Sequence, residues 1–125
     1  MSKFHGRPRL TAGEALLQGQ RIRLGPNKTA LLATDTDPGM GFVWENDLAV
    51  GDEVNSLPWT FESTVRARAA GAFLESAPLY LAASGLVDDV QANAGDPVIG
   101  YAVEASTGAG DVVEVQLIPP VTRNS

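Results

Sequence analysis

Apolar and polar residues alternate with a period of two along several short segments of the chain, which is the pattern of β-strands with one buried face. The clearest runs are Arg21-Ile22-Arg23-Leu24, Val65-Arg66-Ala67-Arg68-Ala69, Leu79-Tyr80-Leu81 and Val112 to Ile118. A single short helical turn is expected at Glu14 to Gln18. The 13 glycines and 8 prolines fall mainly between the alternating runs, where they favour tight turns. Many short strands with frequent turns predict a barrel or a sandwich.

The chain carries one strand-and-turn unit twice. When the sequence is shifted by 59 positions, residues 37–54 lie over residues 96–113 without a gap. Chance would give about one identity over such a stretch. The identical pairs are Asp37/Asp96, Pro38/Pro97, Gly41/Gly100, Glu45/Glu104, Gly51/Gly110, Asp52/Asp111 and Val54/Val113. Further upstream, the Arg21 run matches the Leu79 run if two residues are inserted in the second copy.

The repeat predicts the architecture, because one unit of two to four short strands cannot bury its apolar face alone, whereas two units can. We expect a mainly β fold, a small pseudo-symmetric β-barrel built from units of about residues 14–57 and 72–117. Together they form a single β domain, residues 14–118. Residues 1–13 are expected to form an extended N-terminal arm, and residues 119–125 a C-terminal tail. A single irregular sandwich with chance similarity between its halves is the alternative.

Composition and charge narrow the class of protein. The chain has no cysteine, which excludes disulfides and thiolate metal sites. Its net charge is −6, yet Lys3, Arg7 and Arg9 stand in the first eleven residues with no acid. An acidic body with a basic arm argues against general nucleic-acid binding, which needs a basic face. No apolar run is typical of a signal peptide or a membrane span, so we expect synthesis in the cytoplasm and no membrane partner.

The residues that carry catalysis are sparse. His5 is the only histidine, so a catalytic triad and a two-histidine metal site lack their parts. Asp35 with Asp37, and Asp88 with Asp89, are the remaining candidates, but the residues after Asp37 do not supply the other ligands of a calcium loop. Turn formation and surface charge explain both pairs. We therefore expect no enzyme, no cofactor, no metal and no small-molecule substrate.

Three aromatic residues are candidates for binding or for the core. Trp44 aligns with Val103 in the repeat and is predicted to lie in the core. Trp59 and Phe61 lie in the segment that joins the two units. They either clamp the units together or display a sugar-binding surface, which gives the alternative function, a carbohydrate-binding or tail-accessory module.

Four arginines alternate with apolar residues on predicted strands, so they should project from polar faces in one stripe. A solvated face balanced by acids is one explanation. A subunit or partner interface is the other, because arginine is enriched at interfaces. These residues are Arg21, Arg23, Arg66 and Arg68.

The second copy, Asp96-Pro97-Val98-Ile99-Gly100-Tyr101-Ala102-Val103-Glu104-Ala105 followed by residues 109–115, resembles the closing segment of phage capsid cement proteins, a family first catalogued as a domain of unknown function. The first copy, residues 37–54, resembles the earlier half of that family. The likeness covers roughly residues 12–118.

The resemblance implies a β-tulip-like domain, similar in role to the lambda head decoration protein. It implies a homotrimer that binds the major capsid protein on the outer surface of a phage head and stabilises the shell, hence a virion location. Such proteins often extend an N-terminal arm over the capsid. In this chain Lys3, Phe4, Arg7 and Arg9 are the capsid-binding candidates of that arm.

Overall fold

The computed structural model describes residues 10–44, 46–58 and 64–119, with the side chains of residues 56–58 left aside. This part of the chain consists of short strands and two 3₁₀ turns, with no α-helix. The first 3₁₀ turn spans Pro26–Lys28 and the second Ala83–Gly85. The strands are β1 Thr11–Ala12, β2 Arg21–Leu24, β3 Thr29–Leu32, β4 Gly41–Val43, β5 Ser56–Pro58, β6 Thr64–Arg68, β7 Pro78–Leu81, β8 Val87–Asp88, β9 Gly100–Ala102 and β10 Val112–Leu117.

Each half of the chain forms its own five-stranded sheet. The first has the order β1-β3-β2-β4-β5 and the second the order β6-β10-β9-β7-β8. Isolated bridges, Thr11 to Glu53 in the first sheet and Ala69 to Val87 in the second, join the two edges of each sheet. Each sheet therefore curls back on itself. The predicted mainly β, barrel-like domain of two similar units is confirmed, but each unit curls separately, whereas the sequence suggested closure by both units together.

The alternating pattern explains why the strands of the second sheet form. In β10, Val113, Val115 and Leu117 are buried while the residues between them are half exposed. β6 buries Val65 and Ala67 and exposes the arginine between them. Both predicted strands are confirmed, since one face of each lies on the core and the other faces outward.

The repeat is present in the hydrogen-bond register as well as in the sequence. In the first unit β4 pairs with β5 so that Gly41 faces Pro58, and in the second β9 pairs with β10 so that Gly100 faces Leu117. Both pairs are offset by 59 positions. The backbone N–H of Gly51 donates to the Ala12 carbonyl oxygen, and that of Gly110 to the Ala69 oxygen, each at 2.8 Å.

Left-handed backbone conformations repeat too. Four pairs of equivalent residues have positive φ angles, whether or not they are glycines. Equivalent turns therefore adopt the same conformation even where the side chains differ. The pairs are Gly19 and Ser76, Asn27 and Ser84, Lys28 and Gly85, and Gly51 and Gly110.

Two hydrophobic clusters fill the two units. The first unit's cluster includes Leu10, Leu16, Ile22 and Val43. The second unit's cluster is larger and includes, besides residues of its own sheet, Phe42 from the first unit. Neighbours on β4 thus point opposite ways, Val43 into its own unit and Phe42 into the next. β4 therefore contributes a buried side chain to each of the two hydrophobic clusters.

Several predicted details are wrong near the N-terminus. Residues 10–13, which the sequence placed in the arm, belong to the first sheet: Leu10 is buried, and Ala12 pairs with Ala30 in parallel. The expected helical turn at Glu14 to Gln18 is absent, because Leu16 forms a β-bridge with Leu48. A short apolar run such as Ala15-Leu16-Leu17 is compatible with either conformation, and the two backbone hydrogen bonds with Leu48 decide.

Candidate functional site

Arg21 lies at the joint between the two units. Its side chain is fully buried, and the guanidinium reaches carbonyl oxygens from both halves of the chain. Nη1 donates to the Asp37 oxygen at 2.7 Å and Nη2 to the Thr34 oxygen at 3.0 Å, both in the first unit. Nη2 also donates to the Ala82 oxygen at 2.6 Å, and Nε and Nη2 both reach the Leu86 oxygen, in the second unit. The fork of guanidinium donors suits such a set of acceptors.

The charge on Arg21 is held away from solvent. Burial lowers the pKa of Arg21 to about 10, and the nearby Asp37 and Asp35 carboxylates oppose that shift. The prediction that Arg21 projects from a polar face is therefore wrong. All its acceptors are backbone carbonyls, which any residue type supplies, so no sequence signal marks them.

The backbones of the two units also meet directly at this joint. The N–H of Arg68 donates to the Gly19 carbonyl oxygen at 2.9 Å, and the Gln20 side-chain amide donates to the Ser84 oxygen at 3.0 Å. Gly85 packs against Arg21 so closely that a Cβ there would lie 2.5 Å from the Arg21 carbonyl oxygen. Only glycine fits at that position of the second 3₁₀ turn.

The other three arginines do not form a stripe with Arg21. Arg68 is half-buried and donates to the Gln18 and Gly110 carbonyl oxygens at 2.8 and 2.9 Å. Its contact with Asp47, at 3.8 Å, is a weak surface ion pair. Arg23 donates to the Leu32 oxygen at 3.1 Å, and Arg66 is exposed. β2 and β6 belong to different sheets, so the predicted single stripe is wrong.

The carboxylate pairs serve turns. Asp37 Oδ1 accepts a bond from the Gly39 N–H at 2.8 Å, and Asp88 Oδ1 from the Asp89 N–H at 2.8 Å. Burial, more than the neighbouring Asp89, raises the pKa of Asp88. Hydrogen bonds from Thr107 lower the pKa of Asp111. Among the described residues there is no cluster of three or more metal-ligating side chains.

A small open cavity separates the two Asp-Pro turns of the repeat. Its volume is about 240 Å³. Asp35 and Pro38 line it from the first unit, and Asp96, Pro97 and Ile99 from the second. It is too small to hold a drug-sized ligand, since such pockets span roughly 300–1,000 Å³.

Exposed apolar residues occur at equivalent positions of the two units. Leu17 and Trp44 are 40% and 41% exposed in the first unit, and their equivalents Leu74 and Val103 are 78% and 39% exposed in the second. Trp44 directly follows β4 and its side chain is partly exposed to solvent. The prediction that it lies in the core is therefore wrong. Each unit thus exposes a leucine and a second apolar residue at matching positions. The backbone beside them is joined by the Gly19 N–H to the Val43 oxygen in the first unit and by the Ser76 N–H to the Ala102 oxygen in the second. These exposed apolar residues are candidates for contact with a partner.

The remaining predicted site residues, Lys3, Phe4, Arg7, Arg9, Trp59 and Phe61, lie outside the described residues. None of the helical segments in the described part of the chain has the length and apolar character needed to cross a bilayer.

Fold and surfaces together define a small two-unit β protein whose exposed apolar residues and basic side chains are its candidate contacts. The chain is similar in structure to the N base of the head fiber gp8.5 of bacteriophage phi29, with a TM-score of 0.69 and 14% sequence identity. The similarity covers 93% of this chain and 96% of that chain, so the two share a fold along their whole lengths. No protein-family model matches the chain, and no curated protein matches it.

Proposed function

We propose that this chain is a structural protein of a phage head, and more specifically a decoration protein that binds the outer surface of the capsid and stabilises the shell. The observation that carries the proposal is the similarity, over nearly the full length of both chains, to a protein described as the base of a phage head fiber. The partner is the major capsid protein, the assembled form is a homotrimer, and the location is the virion after synthesis in the host cytoplasm.

Binding without catalysis is sufficient for this role. A protein that binds the assembled shell and not its dissociated subunits stabilises the shell by mass action. The acidic body limits association with packaged nucleic acid, whereas the basic residues Lys3, Arg7 and Arg9 provide charge for an acidic capsid surface. No cofactor or small-molecule substrate is needed.

Two groups of residues are the proposed capsid contacts. One is the N-terminal group of Lys3, Phe4, Arg7 and Arg9. The other is the repeated apolar pair, Leu17 with Trp44 and its equivalent in the second unit. A doubled contact suits a capsid surface, because the shell presents the same subunit surface many times.

The test is to mix the purified protein with bare expanded heads, sediment the heads, and measure bound protein and resistance of the heads to heat. Saturable occupancy with a gain in resistance supports the proposal. In the double variant Leu17→Ser and Trp44→Ser we expect occupancy to fall about tenfold or more at a fixed concentration, as for loss of a central apolar contact. Val50→Ser, at a more exposed apolar site on a different turn, is the control.

A second arm of the same assay examines the basic group. Replacing Lys3, Arg7 and Arg9 by glutamine should weaken attachment and flatten its dependence on salt. The control replaces Arg23 and Arg66 by glutamine, which changes charge elsewhere on the surface. Heads that bind none of these proteins, wild type included, contradict the proposed function.

A further inference from the structure

The contact between the two units is directional. A face of the first unit, here called the docking face, consists of Gly19, Gln20, Arg21 and Phe42, and all four residues are buried. A different face of the second unit, the covering face, lies on it and includes Arg68, Ala82, Ser84, Gly85 and Leu86. The two faces come from non-equivalent parts of the repeat. The units therefore meet head to tail and not by a local two-fold axis.

Since the units are equivalent, the second unit has a docking face of its own, formed by Ser76, Ala77, Pro78 and Tyr101. These residues are exposed or half-exposed. The contrast is large between the equivalent strands β4 and β9. Phe42 on β4 is fully buried, whereas Tyr101, at the same position of β9, is 44% exposed. Pro78 and Tyr101 are paired across β7 and β9, as Arg21 and Phe42 are across β2 and β4.

The first unit, in turn, has an equivalent of the covering face that no other described part of the chain covers. Thr11 occupies the position of Arg68, and the first 3₁₀ turn, Pro26–Lys28, occupies the position of the second. Thr11 and Lys28 are exposed, whereas their equivalents Arg68 and Gly85 are half-buried and buried; the other two residues of each 3₁₀ turn are exposed in both units. Within the described residues, one molecule thus has an uncovered docking face on its second unit and an uncovered covering face on its first.

We propose that the docking face of one copy receives the covering face of a second copy, so that the chains associate head to tail through Tyr101, Pro78 and Ser76 on one side and Thr11 with the first 3₁₀ turn on the other. The pairing of these two faces specifies how the copies of the proposed homotrimer would contact each other. Only the number of copies rests on the proposed function. A repeated head-to-tail contact closes into a ring when its rotation allows. The tyrosine supplies the aromatic residue typical of such contacts.

The contact between copies differs in detail from the joint inside one chain. Lys28 stands where Gly85 packs against backbone, so the two surfaces must lie further apart at the 3₁₀ turn. Pro78 replaces Arg21, so no guanidinium clamps the carbonyls of the neighbouring turn. We therefore expect the contact to centre on Thr11, Ser76 and Tyr101, and to be reversible where the internal joint is permanent.

Disulfide trapping tests the proposed pairing directly, because the chain contains no cysteine of its own. Inside one chain, a Cβ built on Gly19 would lie 3.3 Å from the Cβ of Arg68 and 2.8 Å from its backbone N. Ser76 carries a Cβ at the equivalent position, so the surfaces of two copies must lie slightly further apart here than those of the internal joint. Disulfide-bonded residues have Cβ atoms roughly 3.5–4.5 Å apart. Ser76 and Thr11 are the equivalents of these residues, so cysteines at those positions on different copies should be able to bond.

The experiment uses two single variants, Thr11→Cys and Ser76→Cys, oxidised separately and as a mixture, then run on a non-reducing gel. We expect a covalent dimer in the mixture and almost none from either variant alone. A mixture of Val50→Cys with Ser76→Cys measures random collision. Two results overturn the proposal: a mixture that gives no more dimer than this control, and a single variant that dimerises with itself as readily as the mixture does.

A second measurement uses Tyr101→Arg in sedimentation velocity, with circular dichroism to confirm the fold. We expect its dissociation constant for self-association to rise about tenfold or more, as for a central aromatic residue, while Val90→Arg associates as the wild type does. Self-association that is unaffected by Tyr101→Arg, or a wild type that stays monomeric at its highest soluble concentration, contradicts the proposal. Neither assay contains phage heads, so self-association can be established or refuted whether or not the protein binds heads.

Discussion

Replacing Arg21 by methionine should destabilise the whole molecule, because this one side chain joins both units. The substitution keeps most of the aliphatic volume and removes the guanidinium. Its four acceptors are the carbonyl oxygens of Thr34, Asp37, Ala82 and Leu86. Since they are backbone groups, they stay in the joint and lose their donor.

The size of the effect follows from two opposing contributions. A hydrogen bond to a charged group contributes about 1.5–3 kcal/mol, and a buried carbonyl left unpaired costs about 1–3 kcal/mol. On the other side, burial lowers the pKa of Arg21 to about 10, so holding the charge in the folded state costs free energy at neutral pH. Four acceptors outweigh that cost. We expect a loss of about 3–5 kcal/mol, as when a buried charged network loses one member.

Such a loss is large for a chain of this length, whose free energy of unfolding should be about 6–19 kcal/mol. The assay is urea unfolding at pH 7 followed by circular dichroism, with a thermal scan that should show Tm lowered by about 10–20 °C. Arg66→Met, at the exposed middle position of β6, is the control and should stay within about 0.5 kcal/mol of the wild type. If Arg21→Met also stays within about 1 kcal/mol of the wild type, the joint does not depend on the guanidinium and the reasoning is refuted.

The remaining predictions concern the tight turn at the joint and two carboxyl groups. Gly85→Ala should lose about 2 kcal/mol more than Gly51→Ala in urea unfolding, since both have positive φ but only the first Cβ meets backbone; equal losses would show that the close packing is not needed. Asp111 has a lowered pKa, so its contribution is present above its unfolded pKa and lost as pH falls through the folded value; Asp111→Asn should be less acid-sensitive than the wild type. Burial raises the pKa of Asp88, so the folded state disfavours the charged carboxylate, and this lowers stability at pH values where the group is ionised. Asp88→Asn should be as stable as the wild type or more stable at pH 7, and any advantage should vanish in acid; a clear loss at pH 7 would contradict the burial explanation.

The sequence alone was sufficient for the class of fold and for the existence of two units. Alternation in residues 65–69 and 112–118 predicts strands that the structure contains, because a sheet buries every second side chain whatever lies beyond it. The identities between the two copies fall mainly on turns such as Gly51 and Gly110, where a positive φ restricts the residue type. Strand alternation and turn preferences depend on only a few consecutive residues.

What the sequence could not show is how the units meet. Arg21 and Arg23 look alike in the alternating pattern, and so do Phe42 and Tyr101 in the aligned repeat, yet one of each pair is buried in the joint and the other is not. The difference arises because the second unit covers the docking face of the first, whereas no described part of the chain covers the docking face of the second. The Ala82 and Leu86 carbonyl oxygens that accept from Arg21 lie about 60 residues away in the sequence. Any residue type supplies such a carbonyl. The sequence by itself therefore determined two similar β units, and the tertiary structure alone decided which faces are joined and which remain free for a partner.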